Sequence, residues 1–217
     1  MSRGPFVAPF EDLPKSLPIY PLTGAVLMPH AELPLNIFEP RYLNMVDDVL
    51  GKHRMIGMIQ PDADAISDEA ICHVGCAGRI TQFRETRDGR YELVLSGVCR
   101  FEVTEELPTT RGYRLVMPDW SRFACDYDEP GSELQAEQPR LMTSLEQYLT
   151  VRDMEADLDS FQKLPVIQLI DALAMALPFS EQEKQMLLES VDPAQRLAGF
   201  MALIDERGGV PESATRH

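Results

Sequence analysis

The chain has 217 residues but one tryptophan, four cysteines and four lysines, and each scarcity narrows what it can do. Its lysines, Lys15, Lys52, Lys163 and Lys184, are isolated from one another, and no dense run of basic residues occurs. Twenty basic side chains against thirty-five acidic ones leave a net charge of −15. Phosphate-backbone binding strengthens with each phosphate neutralised, so a chain this acidic needs a local basic patch to hold nucleic acid. The cysteines Cys72, Cys76, Cys99 and Cys125 are too few for a disulfide scaffold. Reduced thiols and a cytoplasmic location are therefore expected. The longest apolar stretch, around Val166 to Leu177, is interrupted by Gln168 and Asp171. A bilayer span needs about 18–20 nearly uninterrupted apolar residues, which excludes a transmembrane helix. The first twelve residues reach Glu11 and Asp12 without an apolar core and do not read as a secretory signal.

Catalytic signatures are equally scarce. Gly51-Lys52 is followed by His53 and makes no phosphate-cradling loop, and neither a G-x-S-x-G elbow nor an H-E-x-x-H pair occurs. Cys72-His73-Val74-Gly75-Cys76 is the one metal-like cluster, yet a structural zinc site needs four ligands, usually as two close pairs. Period-2 spacing instead places Cys72, Val74 and Cys76 on one strand face, as ordinary core. Asp62 and Asp64 read as a solvated acidic turn, His30 as structural, and Ser96 as a turn residue rather than a nucleophile. No metal, no cofactor and no catalytic residue is assigned, and the chain is not read as an enzyme.

What is present is a globular composition, 44% hydrophobic and 25% charged, with a change of character near residue 120. Before it, short β-type runs alternate with turn signals. Leu17 to Leu22 is extended, because each proline pushes its predecessor out of the helical region. Further runs begin at Met55, Arg79, Tyr91, Cys99 and Tyr113, with Asp88-Gly89 as a hairpin turn. One helix interrupts them, with Tyr42, Met45, Val46, Val49 and Leu50 at helical spacing. After Trp120, an acidic Pro- and Gly-containing stretch reads as a linker. Four helical stripes follow, marked by Leu141, Ile167, the capping box Ser180 to Glu183, and Asp192-Pro193. The second half also carries most of the excess charge, net −10 against −5 before residue 121.

Several ordered blocks carry a family resemblance. They are Leu17-Pro-Ile-Tyr-Pro-Leu22, Val26-Leu-Met-Pro29, Leu33-Pro-Leu-Asn-Ile-Phe-Glu39 and Arg41-Tyr42, then Gly78-Arg79-Ile80, Asp88-Gly89-Arg90 and Leu95-x-Gly97-x-x-Arg100-Phe101. Each block alone is weak, but the ordered set resembles the N-terminal substrate-binding domain of the Lon protease family over about residues 15–205. The resemblance implies an α+β fold, a PUA-like β-barrel with one inserted helix over residues 1–120. A linker at 121–133 and a helical bundle at 134–217 complete the expected organisation. No counterpart of the family's ATPase or Ser-Lys protease module is found, so a stand-alone domain without protease or ATPase activity is expected.

The signature residues have physical readings of their own. Pro21 and Pro29, with Pro18 and Pro34, hold extended segments and stop edge strands from continuing. Glu39 and Arg41 flank Pro40 at a helix start, where Glu39 is positioned to cap amides and Arg41 to pair with it. Tyr42 suits a seam between barrel and helix. All are read as mainly structural. The resemblance implies recognition of unfolded or partly unfolded polypeptides, with a protease as a possible associate. A strand edge or an apolar groove between barrel and bundle would do the binding, and Met28, Phe38, Tyr42 and Met58 are the candidate contact residues. Two alternatives stand beside this. Arg79, Arg84, Arg87, Arg90 and Arg100 form a modest basic cluster suited to RNA, and the barrel–bundle cleft would suit a small molecule.

Overall fold

The computed structural model describes residues 9–62, 67, 70–128 and 132–208. Six strands lie among them: β1 (Leu17–Pro21), β2 (Glu32–Ile37), β3 (Met55–Ile59), β4 (Val74–Glu85), β5 (Tyr91–Leu107) and β6 (Arg114–Asp119). They run in the order β2-β5-β4-β3-β1-β6, and β6 pairs back onto β5. Five strands thus close a ring of pairings, to which β2 is appended. All pairs are antiparallel except β1 with β3. Helix α1 (Pro40–Leu50) interrupts the series and buries Tyr42, Met45, Val46 and Val49 of the stripe that its spacing predicts, with Leu50 half-buried at its end.

β5 is the hub. Its first part faces β2, its second part faces β6, and β4 runs along its other side. The sequence reads as two runs broken at Ser96-Gly97, whereas the structure makes one strand. The break is a register shift: Gly78 opposes Gly97 while Ala77 opposes Cys99, leaving Val98 as the extra residue. Ser96 is accordingly not a turn residue, and its hydroxyl shares a 3.0 Å hydrogen bond with Thr81 across the sheet. Gly97 permits a close crossing. A Cβ there would sit 2.0 Å from the Met28 carbonyl oxygen, while Gly97 donates to Ala31 O and accepts from His30 N.

The second half holds α3 (Gln138–Val151), α5 (Val166–Ala176), α6 (Glu181–Glu189) and α7 (Pro193–Gly208), the four helices expected. Two short ones, α2 (Ser132–Ala136) and α4 (Leu158–Phe161), are additional. Ser180 and Glu183 form the capping box of α6, and the Asp192 side chain accepts from Ala194 N at the start of α7. Residues 121–127, read from sequence as the start of a linker, instead form a 3-10 helix that buries Phe123 and Asp126. One continuous apolar cluster runs from Leu13 through β5 and Phe123 to Ile204, so the two halves share a core.

A buried charge network crosses this shared core. Arg100 on β5 donates to both carboxylate oxygens of Asp126, to the carbonyl of Leu188 in the last turn of α6, and to those of Ser190 and Val191 just beyond it. Arg196 on α7 pairs with Asp171 on α5 at 2.6 Å, and its other nitrogen lies 3.8 Å from Asp126. Burial raises the Asp171 pKa to about 6, with Arg196 pulling the other way.

Two outcomes follow from this packing. Gly97→Ala forces its methyl onto the Met28 carbonyl and should cost about 1–3 kcal/mol in chemical denaturation. An unchanged midpoint and slope would show that residues 28–31 yield freely. For Asp171, the native carboxyl binds its proton more tightly than an unfolded aspartate of pKa near 3.9. Its favourable contribution is therefore complete below about pH 4 and is lost as pH rises towards about 6, a swing on the order of a few kcal/mol. Asp171→Asn should flatten the stability-versus-pH curve in that window, and identical curves for the two proteins would remove the assignment.

Candidate functional site

The structure separates the four candidate contact residues. Met28 and Met58 are fully buried and Tyr42 nearly so, whereas Phe38 is 64% exposed. Three of the four are corrected to core positions, each for a visible reason. Met58 lies on β3, which is sandwiched between β1 and β4 and buried along its whole length. Met28 crosses β5 beside Gly97, and its amide N–H points at the Met175 sulfur of α5. Tyr42 packs its ring on Tyr20, 4.3 Å between centroids, under the Arg41 guanidinium. Burial accordingly raises the pKa of both tyrosines.

The signature residues are scaffolding for this corner. Glu39 makes no side-chain cap; it accepts from Arg41 Nε at 3.0 Å, while its main-chain oxygen receives the Tyr42 and Leu43 amides. The expected Glu39–Arg41 pair therefore forms, and the expected cap does not. Pro21 ends β1, and Pro29 lies close to Gly97 at the crossing. His30 takes a left-handed backbone with φ of 64° at the same place. Cys76 and Cys99 are buried in the core, where burial pushes the Cys76 thiol far above its ordinary pKa.

Phe38 sits at the end of β2, and β2 is what the sequence concealed. Among the described residues β2 pairs with β5 alone, so its other edge is open. The Gly97 N–H to Ala31 O bond sets the parity of the ladder: Leu33, Leu35 and Ile37 exchange hydrogen bonds with β5. Glu32, Pro34 and Asn36 then direct their backbone groups outward. Pro34 has no N–H, and its outward position is where a strand accepts proline at no cost to its own ladder. The open edge offers three carbonyls but two N–H groups. Leu33 and Leu35 are half-buried along it. A shallow groove of about 490 Å³ covers this corner, lined among others by Pro34, Leu35, Asn36, Phe83 and Val94. Phe83 is 42% exposed and meets Tyr91 edge-on.

The predicted basic cluster loses Arg100 to the core, while Arg84, Arg87 and Arg90 are exposed and Arg79 is half-buried. Arg100 is buried against Asp126, Arg84 is paired with Glu92, and Arg90 with Asp88. A second groove, of about 600 Å³, lies where α6 meets the ends of β3 and β4, so a cleft between sheet and helices does exist. Asp62 lines it; Asp64 lies outside the described residues.

Comparison with known proteins agrees with the resemblance. A family model described as the ATP-dependent protease La (LON) substrate-binding domain matches residues 16–206. Lon protease 2 of Sorangium cellulosum is 28% identical over 199 residues, which are 87% of this chain and 24% of that protein. The chain thus spans about a quarter of the length of such curated relatives. A crystal structure of a Lon N-terminal domain protein from Xanthomonas campestris is 31% identical, with a TM-score of 0.62, covering 86% of this chain and 97% of that one. The N-terminal domain of a Mycobacterium avium complex Lon protease, 18% identical with a TM-score of 0.68, shares the fold, covering 88% of this chain and 99% of that one.

Proposed function

From the premise that this chain belongs to the Lon substrate-binding domain family, we propose that it is a non-catalytic module that recognises exposed, extended segments of unfolded polypeptide. The matched region is the substrate-binding domain alone, and neither an ATPase nor a protease active site is read in the chain. No helix among the described residues is long and apolar enough to cross a membrane. Protein substrates are the partners that the family description implies, met as soluble chains in the cytoplasm.

The observation that carries the reading is the open edge of β2 ending in exposed Phe38. An extended polypeptide adding to a sheet edge gains main-chain hydrogen bonds whatever its sequence, while alternate side chains probe the flanking surface. Glu32 and Asn36 each provide a full donor–acceptor pair, and Pro34 provides an acceptor. Beside them, Leu33 and Leu35 share one face and supply an apolar track for alternate residues of the incoming strand, and Phe38, of the opposite parity, adds an exposed ring just past the strand end. Folded proteins have most of their extended segments already paired within their own sheets, so this mode favours unfolded chains. The pairing of Arg84, Arg90 and Arg100 with carboxylates leaves RNA without a comparable footprint.

The test is fluorescence anisotropy with a labelled, permanently unfolded polypeptide, using its folded counterpart and a single-stranded RNA as controls. Saturable binding to the unfolded chain alone is expected. Phe38→Ser removes the exposed ring, and Asn36→Pro deletes an outward N–H without touching the β5 ladder. Each should weaken binding about tenfold, or about 1.4 kcal/mol. Binding unaffected by either change would move the site away from β2, and no binding to the unfolded chain would end the recognition reading.

A further inference from the structure

The register of β2 assigns each position of an incoming strand a different neighbour. On β5, Glu32 pairs with Ser96, Pro34 with Val94 and Asn36 with Glu92. β4 continues these rows with Arg79, Gln82 and Arg84. Successive side chains of a strand alternate between the two faces of its sheet. Glu32, Pro34 and Asn36 therefore stand on one face, and Leu33, Leu35 and Ile37 on the other. The second is the core face, because Ile37, Ile80, Leu93 and Leu95 are buried along it. Leu33 and Leu35 are half-buried where that apolar surface reaches the open edge. A strand added there continues it with every second residue.

The first face carries the charge, and carries it at one end. Glu32 is exposed, and its carboxylate accepts a 3.5 Å hydrogen bond from Ser96 Oγ. Among the described residues no basic side chain pairs with it. At the other end Asn36 is neutral, and Glu92 behind it is held by Arg84. The hydrogen-bonding groups add a second pattern. Glu32 and Asn36 each offer an N–H and a carbonyl, whereas Pro34 offers a carbonyl alone. Antiparallel pairing is the stabler orientation per residue. It places five consecutive residues of a bound segment opposite Asn36, Leu35, Pro34, Leu33 and Glu32, in that order. The first, third and fifth donate their N–H groups to β2, and those of the second and fourth point away. The second and fourth side chains lie beside Leu35 and Leu33, and the fifth lies directly across from Glu32.

We propose that the β2 edge selects its extended segments by this register: apolar second and fourth residues and a basic fifth, with Glu32 the specificity-determining residue. The proposal rests on the polypeptide-recognition reading and adds to it a preference fixed to one position. Opposite charges directly across a strand pair stabilise it and like charges destabilise it, so the fifth position separates basic from acidic clients. The net charge of −15 also attracts basic chains, but it favours no position within them.

The test uses a labelled glycine- and serine-rich polypeptide that carries one run, Thr-Val-Ser-Val-Lys, titrated by anisotropy. Replacing the lysine of the run by glutamate should weaken binding about five- to tenfold. Glu32→Gln should bring that ratio close to one, and Glu32→Lys should invert it, which a change of two charges in the net −15 does not do. N-methylation of the first, third or fifth residue of the run should each cost about tenfold, and of the second or fourth less than about twofold. A ratio that neither Glu32 variant moves, or N-methyl losses that do not alternate, overturns the register and leaves recognition of unfolded chains standing. So does failure of the run to bind a protein that does bind the permanently unfolded polypeptide. Failure of both polypeptides ends the recognition reading and this one together. A dimer in sedimentation that the run cannot dissociate gives the edge to a second copy and overturns the proposal as well.

Discussion

Arg100 leaves β5 with its guanidinium fully buried, and every N–H it carries needs an acceptor inside the protein. Asp126 supplies a bidentate pair, and the carbonyls of Leu188, Ser190 and Val191 complete the set. The consequences extend in both directions along the chain. Asp126 can be reached only if residues 121–127 coil into a 3-10 helix against the sheet, which is why that segment is packed rather than free. The three carbonyls lie where α6 gives way to α7, so the same guanidinium fixes how the helices enter the shared core. Desolvating such ions costs several kcal/mol each, and removing Arg100 leaves the buried Asp126 carboxylate with only the more distant Arg196, 3.8 Å away. A junction of this kind specifies one relative placement of sheet and helices more sharply than apolar contact alone. The α6 groove depends on that placement, because its walls come from both halves.

The fold was legible where local rules and tertiary packing agree. The α1 stripe, the Asp88-Gly89 hairpin, the α6 capping box and the proline at the start of α7 are all short-range signals, and the structure contains each. The misreadings occur where a long-range partner overrode the local pattern. Gly97 looked like a strand end because glycine there serves the Met28 crossing, and the alternation restarts across a bulge. Pro34 hid β2, since a proline argues against a strand unless the strand lies on an edge. Edge position is a property of the sheet and is not written in six residues. Phe123 and Asp126 sat in a stretch whose acidic, glycine- and proline-containing composition resembles a linker; their burial is decided by Arg100, more than twenty residues earlier.

The candidate site shows the same division. Proximity to the family blocks selected Met28, Tyr42 and Met58 as contacts, yet those blocks are dense in sequence because they build the core beneath the surface. Phe38 was identifiable from the same stretch, but nothing local distinguishes its exposure from the burial of Ile37 beside it. The register of β2 on β5 does distinguish them. Gln60 carried no signal, since a glutamine at the end of an apolar run is common; only the structure shows its bonds to α6, more than a hundred residues later.

An open strand edge invites its own copy as readily as a foreign chain, and the composition of β2 bears on that competition. Two copies pairing antiparallel edge to edge and centred on Pro34 would oppose proline to proline, and the middle of the ladder would then have no donor on either side. Centring on Glu32 would oppose like charges, which destabilises a cross-strand pair. Centring on Asn36 avoids both but shortens the shared ladder towards the strand end at Phe38. Each chain also brings a net charge of −15 to such an encounter. Proline and charge at an edge are familiar defences against association. Here they act asymmetrically: an extended segment that lacks acid and proline meets Glu32, Asn36 and Leu35 with its own full set of donors. The residues that keep the protein from pairing with itself therefore leave the edge open to the extended segments proposed above, basic rather than acidic ones.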